Sequence, residues 1–485
     1  MKKVRDILTG IKMTEVIGDL SCSFNKLDFD SRKISKGDLF IATKGTQVDG
    51  HTFIEQVIKK GAVAIICEEL PKEISETVCY IKVENSQKAL GIVAANYYDN
   101  PSQKLTLVGV TGTNGKTTIA TLLYQLFTDL GYYTGLLSTI ENKIGERTIT
   151  STHTTPDALN LNKLLADMVT EGCSYCFMEV SSHALDQGRT AGLDFDGAIF
   201  TNLSHDHLDY HHDFTSYIKA KKTLFDELKK SAFALVNEDD RNGLIMTQNC
   251  DAQILTYGIK TISDFSARII EKQLNGLNLL IDGKDVWFRL TGHFNAYNLL
   301  AIYGAARLLD QDSDDVLSKL SNISSVNGRF DLQISPNGIT AIVDYAHTPD
   351  ALLNVLQTIK DLKTEESRLI TVVGAGGNRD KTKRPAMAKI ASDYSEQVIL
   401  TSDNPRFEKA EDIIADMKSG LNHQQERKVL AITNRAEAIK TAMHLAQAGD
   451  VILIAGKGHE TYQEIEGIKH HFDDKELINK LFKEV

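Results

Sequence analysis

Short apolar runs alternate along most of the chain with segments whose hydrophobic residues recur every three or four positions. A continuous apolar run predicts a strand buried on both faces, and its alternation with helical periods predicts α/β layering with mostly parallel sheets. In the first hundred residues DLFIAT, AVAIIC and CYIKV predict strands, with HTFIEQVIKKGA a helix between the first two. YYDNPSQKL carries an Asn-Pro turn signal and predicts a domain boundary near residue 103. TLVGVTG then predicts a strand running into a glycine-rich turn, followed by a long helix, IATLLYQLFTDLG. YCFMEV and GAIFTNL predict two more strands. Mixed strands near residues 252–290 and an apolar helix, AYNLLAIYGAARLL, follow. From about residue 333 the strand–helix rhythm returns with TAIVDYA, LITVVGA, QVILTS and VILIAGKG, each ending in a polar loop. The expectation is an α/β protein of three domains, 1–103, 104–332 and 333–485, without internal repeats. Ligands of open α/β sheets bind beyond the carboxyl ends of strands, so these loops are where chemistry is expected.

Composition narrows the function more than the fold. A length of 485 residues suits about three domains, and 42% hydrophobic with 25% charged residues excludes a disordered chain. The net charge of −11 argues against nucleic-acid or anionic-membrane binding as the main activity, though it leaves room for a local basic pocket. No apolar run approaches the ~20 residues of a membrane span, and MKKVRDILTGIKMTEVIGDL lacks a signal-peptide core. A soluble, cytoplasmic protein is expected. Cys67 and Cys79 fall in strand-like runs and are expected to pack as small core residues. Cys173 and Cys176 form a CxxC, but it runs into Phe177-Met178 with no second pair to complete four zinc ligands. Packing is expected there too.

The sharpest motif is GVTGTNGKTT, Gly109 to Thr118. Its glycines let backbone N–H groups curl around phosphate oxygens, the following helix adds its positive end, and Lys116 reaches the outer phosphates. Thr117 is the expected hydroxyl ligand of Mg²⁺. Val110 stands where the general pattern has glycine, yet strand before and helix after predict a nucleotide site. Glu179 closes YCFMEV, an acid at a strand end beside this loop. The next strand delivers four His and two Asp between Ser204 and His212, where one His is expected to contact metal and the rest to form loop hydrogen bonds. In SYIKAKKTLFDEL, Lys221 falls within the apolar stripe of Tyr217, Ile218, Leu224, Phe225 and Leu228, whereas Lys219 and Lys222 face the polar side with Asp226. By periodicity alone Lys221 is either snorkelling or chemically altered. GAGGN (374–378) lacks the GxGxxG spacing of a dinucleotide site.

Eight motifs occur in order: GTNGKTT, HTTPD (153–157), MEVSSHALDQGR (178–189), NLSHDHLDYH (202–211), VDYAHTPD (343–350), GGNRDKTKRP (376–385), DNPR (403–406) and AGKGHE (455–460). With them the chain resembles the Mur ligase family over nearly its whole length, most weakly at 1–25 and 240–290. The resemblance implies an N-terminal domain for a UDP-linked substrate, a central P-loop ATPase, and a C-terminal Rossmann-like domain for an incoming amino acid. It implies ATP-dependent amide formation through an acyl phosphate, with meso-2,6-diaminopimelate added to UDP-N-acetylmuramoyl-L-alanyl-D-glutamate in peptidoglycan precursor synthesis by a monomer.

By the same resemblance Gly112, Thr113, Asn114, Gly115, Lys116, Thr117 and Thr118 bind ATP, together with Asn298, Arg329 and Asp344, with His347 nearby. Thr117, Glu179, His207 and a carbamylated Lys221 hold Mg²⁺. Ser31 and Thr46-Gln47-Val48 face the uridine, although TQV replaces the HQA of some members. Thr154, Thr155, Ser181, Gln187 and Arg189 face the muramoyl-dipeptide. Arg379, Asp403, Asn404, Pro405, Arg406, Gly456 and Glu460 form the amino-acid pocket, where Arg406 suits a second carboxylate that L-lysine lacks and Glu460 a distal ammonium. The competing readings are an L-lysine-adding ligase, a folylpolyglutamate synthase-like ligase, which DSR and DNPR disfavour, and a P-loop nucleotide switch, which needs no amino-acid pocket.

Overall fold

The glycine-rich turn follows a strand, Thr106–Thr111, at the centre of an 11-stranded sheet. In this computed structural model, which describes residues 1–45, 48–151, 153–204 and 206–484, three large sheets follow one another along the chain. In the central sheet Thr134–Leu137, Tyr175–Glu179, Thr106–Thr111, Gly197–Phe200, Phe233–Asn237 and Gln253–Gly258 run parallel in that order. An antiparallel hairpin, Glu141–Ile144 with Arg147–Thr150, extends one edge. Phe265–Gln273, Gly276–Ile281 and Lys284–Phe288 extend the other.

Alternation along the strands sends side chains to two cores. Val108, Val110, Phe177 and Ile199 pack against the helices Lys116–Asp129 and His293–Leu308. Leu107, Cys176, Met178, Ala198 and Phe200 pack on the opposite face with Leu161 and Leu165, and with Tyr217, Leu224 and Phe225 of the helix Phe214–Asp226. Cys173 and Cys176 are buried in this second core, where desolvation pushes both thiols up. The CxxC is packing, as expected.

The N-terminal sheet orders Met13–Ile17, Cys79–Val83, Ala64–Cys67, Leu39–Ile41 and Leu27–Asp28, parallel except for the first strand. It meets the central part at the helix Ser86–Tyr97, where an added Cβ on Gly91 would lie 2.5 Å from Ala191 O. Only glycine allows that approach. The third sheet orders Asp331–Ile334, Thr340–Asp344, Val451–Ala455, Leu369–Ala375, Gln397–Ser402 and Val429–Ala431, again parallel except for the first strand. The fully buried pair Arg435–Asp474 (2.7 Å) ties the last helix, Asp474–Glu484, beneath Ala455 O, fixing the loop that begins at Gly456. Among the described residues no helix is long and apolar enough to cross a membrane.

Candidate active site

Parallel register sets Glu179 beside Val110 and Phe200 beside Thr111, so three strand ends open together at the centre of the sheet. The loop between them needs glycine twice. Gly112 has φ +148° and an added Cβ would meet Thr201 Oγ1 at 1.9 Å; Gly115 has φ +89° and its Cβ would meet Asn298 Oδ1 at 2.7 Å. Thr201 and Asn202, just past the neighbouring strand, hold the loop's shape. Thr201 Oγ1 donates to Asn114 O (2.6 Å), and Asn202 Oδ1 accepts from Asn114 N (2.9 Å). Lys116 Nζ donates to Gly112 O and Thr113 O, and burial lowers its pKa.

The loop's hydroxyl and the strand-end acid meet as the sequence predicts. Thr117 Oγ1 donates to Glu179 Oε2 (3.0 Å), and Thr139 N–H donates to Glu179 Oε1 (2.7 Å). Both Thr117 and Glu179 are buried. Among the described residues no three His, Cys, Asp or Glu side chains gather into a protein-only metal cage. Two hard oxygen donors beside a phosphate loop fit Mg²⁺, which draws most of its shell from waters and phosphate oxygens. His207, at φ +55°, packs edge-to-face on His183 (4.8 Å between rings). His211 packs on Tyr217. His205 lies outside the described residues.

Lys221 sits inside the apolar face, 1% exposed, as its helical position predicts. Its Nζ donates to Gly112 O (2.7 Å) and lies 4.8 Å from the Tyr217 ring centroid. Burial, then the neighbouring Lys116, push its pKa well below the usual lysine range. Lys222 instead pairs with Asp226 on the polar side.

A second group forms where HTTPD meets the helix after Glu179. Thr155 Oγ1 donates to Glu179 O and accepts from Ser181 N, while Thr139 Oγ1 donates to Thr154 Oγ1. Arg189 Nη1 donates to Thr155 O, and its Nε and Nη2 both reach Gln187 Oε1. Ser31 and Val48 belong to the N-terminal sheet region and line no part of the cavity described next; Thr46 and Gln47 lie outside the described residues.

One cavity of about 920 Å³ runs from the phosphate loop, past Glu179 and Lys221, to the third sheet. Arg329, at the joint between the two parts, donates to Thr117 Oγ1 (3.0 Å) and lies over the Tyr345 ring. Asp344 accepts from Phe330 N; burial raises its carboxyl to about 6 against the opposing pull of Arg329. His347 and Asn298 line the same space.

At the far end stand Arg379, Asp403, Asn404, Arg406, Gly456 and Glu460. Gly456, at φ +115°, lets Asp403 approach: a Cβ there would lie 2.5 Å from Asp403 Oδ2. Arg406 Nη1 donates to Gly377 O (2.8 Å), and its Nε is 3.5 Å from Glu464. Glu460 is already paired, to Lys457 Nζ (3.1 Å) and Asn404 Nδ2 (2.7 Å). Lys457 was not singled out in the sequence, although its place three residues before Glu460 puts it within reach. Asp206 and Lys383 were also not singled out; they bridge the central and third sheets at 2.6 Å across 177 positions, a separation that no local pattern reveals.

The Mur ligase middle domain profile matches residues 110–306, the Mur ligase, glutamate ligase domain profile residues 328–458, and the Mur ligase family, catalytic domain profile residues 24–98. The chain is 55% identical over 480 residues to the UDP-N-acetylmuramoyl-L-alanyl-D-glutamate–2,6-diaminopimelate ligase of Cytophaga hutchinsonii, covering 99% of each. It is likewise 55% identical over 480 residues, 99% of each, to the protein of that name in Phocaeicola vulgatus. A solved structure of a UDP-N-acetylmuramoyl-L-alanyl-D-glutamate–2,6-diaminopimelate ligase is similar across 100% of this chain and 99% of its own, at 35% identity and a TM-score of 0.69.

Proposed function

The chain belongs to the Mur ligase family, and from that premise we propose that it joins meso-2,6-diaminopimelate to UDP-N-acetylmuramoyl-L-alanyl-D-glutamate at the expense of ATP. The observation that carries this reading is the single cavity lined at one end by the phosphate loop and at the other by Arg406 and Glu460. A nucleotide switch needs only the first end.

In this reading Gly112 to Thr118, with Asn298, Arg329 and Asp344, hold ATP. The γ-phosphoryl group passes to the free D-glutamyl carboxylate, giving an acyl phosphate and ADP. The amine of diaminopimelate then attacks the acyl carbon, the C–O bond to phosphate breaks, and the amine loses a proton. Positive groups facing the transferred oxygens supply most of the acceleration, because little covalent work falls to the protein. Lys116 and Arg329, both lining the cavity, are the cations assigned that task. Mg²⁺, held by Thr117, Glu179, His207 and the modified Lys221, would neutralise phosphate charge. For Lys221 the modification adds CO₂ to the neutral amine and releases a proton, turning a buried cation into an oxygen ligand. Its burial beside Lys116 supports this, since both features disfavour the ammonium.

Thr154, Thr155, Ser181, Gln187 and Arg189 face the muramoyl-dipeptide, with Ser31 and residues 46–48 toward the uridine. Arg379, the 403–406 loop, Gly456 and Glu460 receive the amino acid. The proposed form is a cytoplasmic monomer. Phosphate release measured with ATP, the UDP-dipeptide and each candidate amino acid tests the reading. Turnover should need all three substrates and favour meso-diaminopimelate over L-lysine; rapid release with ATP alone would instead mark a nucleotide switch.

A further inference from the structure

The loops carrying Arg379 and Arg406 are laced together by backbone and side-chain hydrogen bonds. Gly377 N donates to Asn404 O (2.9 Å), Arg406 Nη1 donates to Gly377 O, and Phe407 N donates to Asn378 Oδ1 (3.0 Å). A Cβ on Gly377 would fall 1.9 Å from Pro405 O, so the two loops touch without side chains between them. Arg406 and Asn378 both sit at positive φ, +53° and +52°. Left-handed backbone at non-glycine residues persists only where the surroundings impose it.

Arg406 is held through its own backbone, its N–H donating to Glu464 O (3.0 Å) and its C=O accepting from Glu466 N–H (2.7 Å), and a second set of contacts, reaching the cavity wall at Arg384, stands behind both loops. Glu408, two residues after Arg406, accepts a bidentate fork from Arg384, Nη1 to Oε2 and Nη2 to Oε1, both 2.9 Å. Arg384 is 1% exposed and also donates to Gly376 O (3.2 Å) and to Asp416 Oδ2 (2.7 Å). Glu408 Oε1 further accepts from Asn378 N (2.5 Å), and Lys381 lies 3.3 Å from Oε2. One carboxylate therefore grips both loops and the helix Lys383–Tyr394 behind them. The fork, with the other donors around it, holds the Glu408 carboxyl down at about 2, so it stays charged throughout the working range.

We propose that Glu408 and Arg384 are positioning residues that set amino-acid recognition by holding Arg406 and Arg379 in register. The proposal rests on the reading of these loops as the amino-acid pocket. A guanidinium displaced by about 1 Å loses a bidentate grip on a carboxylate, which is the scale at which positioning costs large factors.

The test is steady-state kinetics of the full chain, varying one substrate at a time, with melting temperature recorded beside it. Glu408→Gln keeps the shape but removes the charge that accepts both arms of the fork. It should raise the KM for the amino acid about tenfold or more and narrow the preference for meso-diaminopimelate over L-lysine, with the KM for ATP within about twofold. Arg384→Lys, which keeps the charge but not the fork, should shift the same constant in the same direction. Asp416→Asn removes a contact of Arg384 that reaches neither loop, keeps the fork to Glu408, and should leave the amino-acid KM unchanged. Arg406→Ala separates the two levels of the argument. If it raises the amino-acid KM while Glu408→Gln does not, the clamp is wrong and the pocket stands. If Arg406→Ala leaves that KM unchanged, the pocket assignment falls and the clamp with it. A Glu408→Gln protein in which all KM values and the melting temperature move together would show a general scaffold and overturn the proposal.

Discussion

Lys116 and Lys221 converge on one carbonyl, Gly112 O, and the proposed chemistry gives them opposite fates. Lys116 must stay a cation to face phosphate. Lys116→Ala should therefore cut kcat by a factor matching about 2.7–4 kcal/mol, the range for one preorganised donor. Phosphate release within twofold of the unmutated enzyme would remove Lys116 from the mechanism. Lys221 is the residue proposed to lose its charge. Lys221→Ala should abolish ligation, excess bicarbonate should not restore it, and a short-chain carboxylic acid should restore part. Lys219→Ala, on the exposed side of the helix, is the control. Full activity of Lys221→Ala would leave the carbamate without a role. Asp344 gives a pH signature. Its folded carboxyl titrates near 6 because it is buried, above the unfolded value of 3.8. Between about pH 4 and pH 6 the unfolded chain has released a proton that the folded chain retains, so this group makes stability fall as pH rises. The loss is roughly 2–3 kcal/mol and complete above pH 6. Asp344→Asn should flatten that part of the melting-temperature profile; an unchanged slope would mean Asp344 is not the group responsible.

Two glycines of positive φ, one in the loop before and one in the turn after a single helix, separate backbone strain from function. Gly131, φ +95° after the helix Lys116–Asp129, has nothing within 4 Å of an added Cβ, whereas Gly112 would strike Thr201. Gly131→Ala should cost only the left-handed penalty of about 1–2 kcal/mol and leave nucleotide binding intact. Gly112→Ala must also push away the hydroxyl that holds Asn114 O, so stabilisation by added ATP in a melting assay should vanish. Retained stabilisation would show that the loop reshapes freely. The same contrast explains what the sequence made legible. TLVGVTG, YCFMEV, GAIFTNL and the four third-sheet strands are legible because both faces are buried, so most of their residues are apolar. The hairpin 141–150 is not: ENKIGERTIT caps an edge, its outer strand is mostly exposed, and apolar residues are scarce. Met13–Ile17 and the hairpin Tyr462–Ile465 with Ile468–His471 stayed hidden for the same reason. Glu179 and Lys221 were legible because one ends an apolar run and the other interrupts an apolar stripe. Asp206, Lys383 and Glu408 act through partners distant in sequence, and single-chain periodicity carries no trace of such pairs.

Three polar contacts draw the third sheet's part of the chain onto the phosphate loop and the neighbouring strand-end loop: Arg329 to Thr117, Asn114 to Asp350, and Lys383 to Asp206. The first two involve residues proposed to bind nucleotide, Arg329, Thr117 and Asn114. Lys383 and Asp206 do not carry that double duty. Their side chains are 14% and 6% exposed, and removing Lys383 leaves a nearly buried Asp206 charge with only part of its compensation, from His207. The cheapest relief is for the two parts to swing apart and let water reach Asp206. Lys383→Ala should therefore raise the radius of gyration measured by small-angle scattering. It should also lower kcat at least about tenfold, since in the proposed reaction acyl phosphate and amine are held by different parts and must be brought together. The double variant Asp206→Asn with Lys383→Met carries no buried charge and should recover much of the compact form. Recovery of compactness without recovery of kcat would assign Lys383 a direct part in the chemistry. A scattering profile and kcat both unchanged in Lys383→Ala would show that closure is held by Arg329 and Asn114 alone.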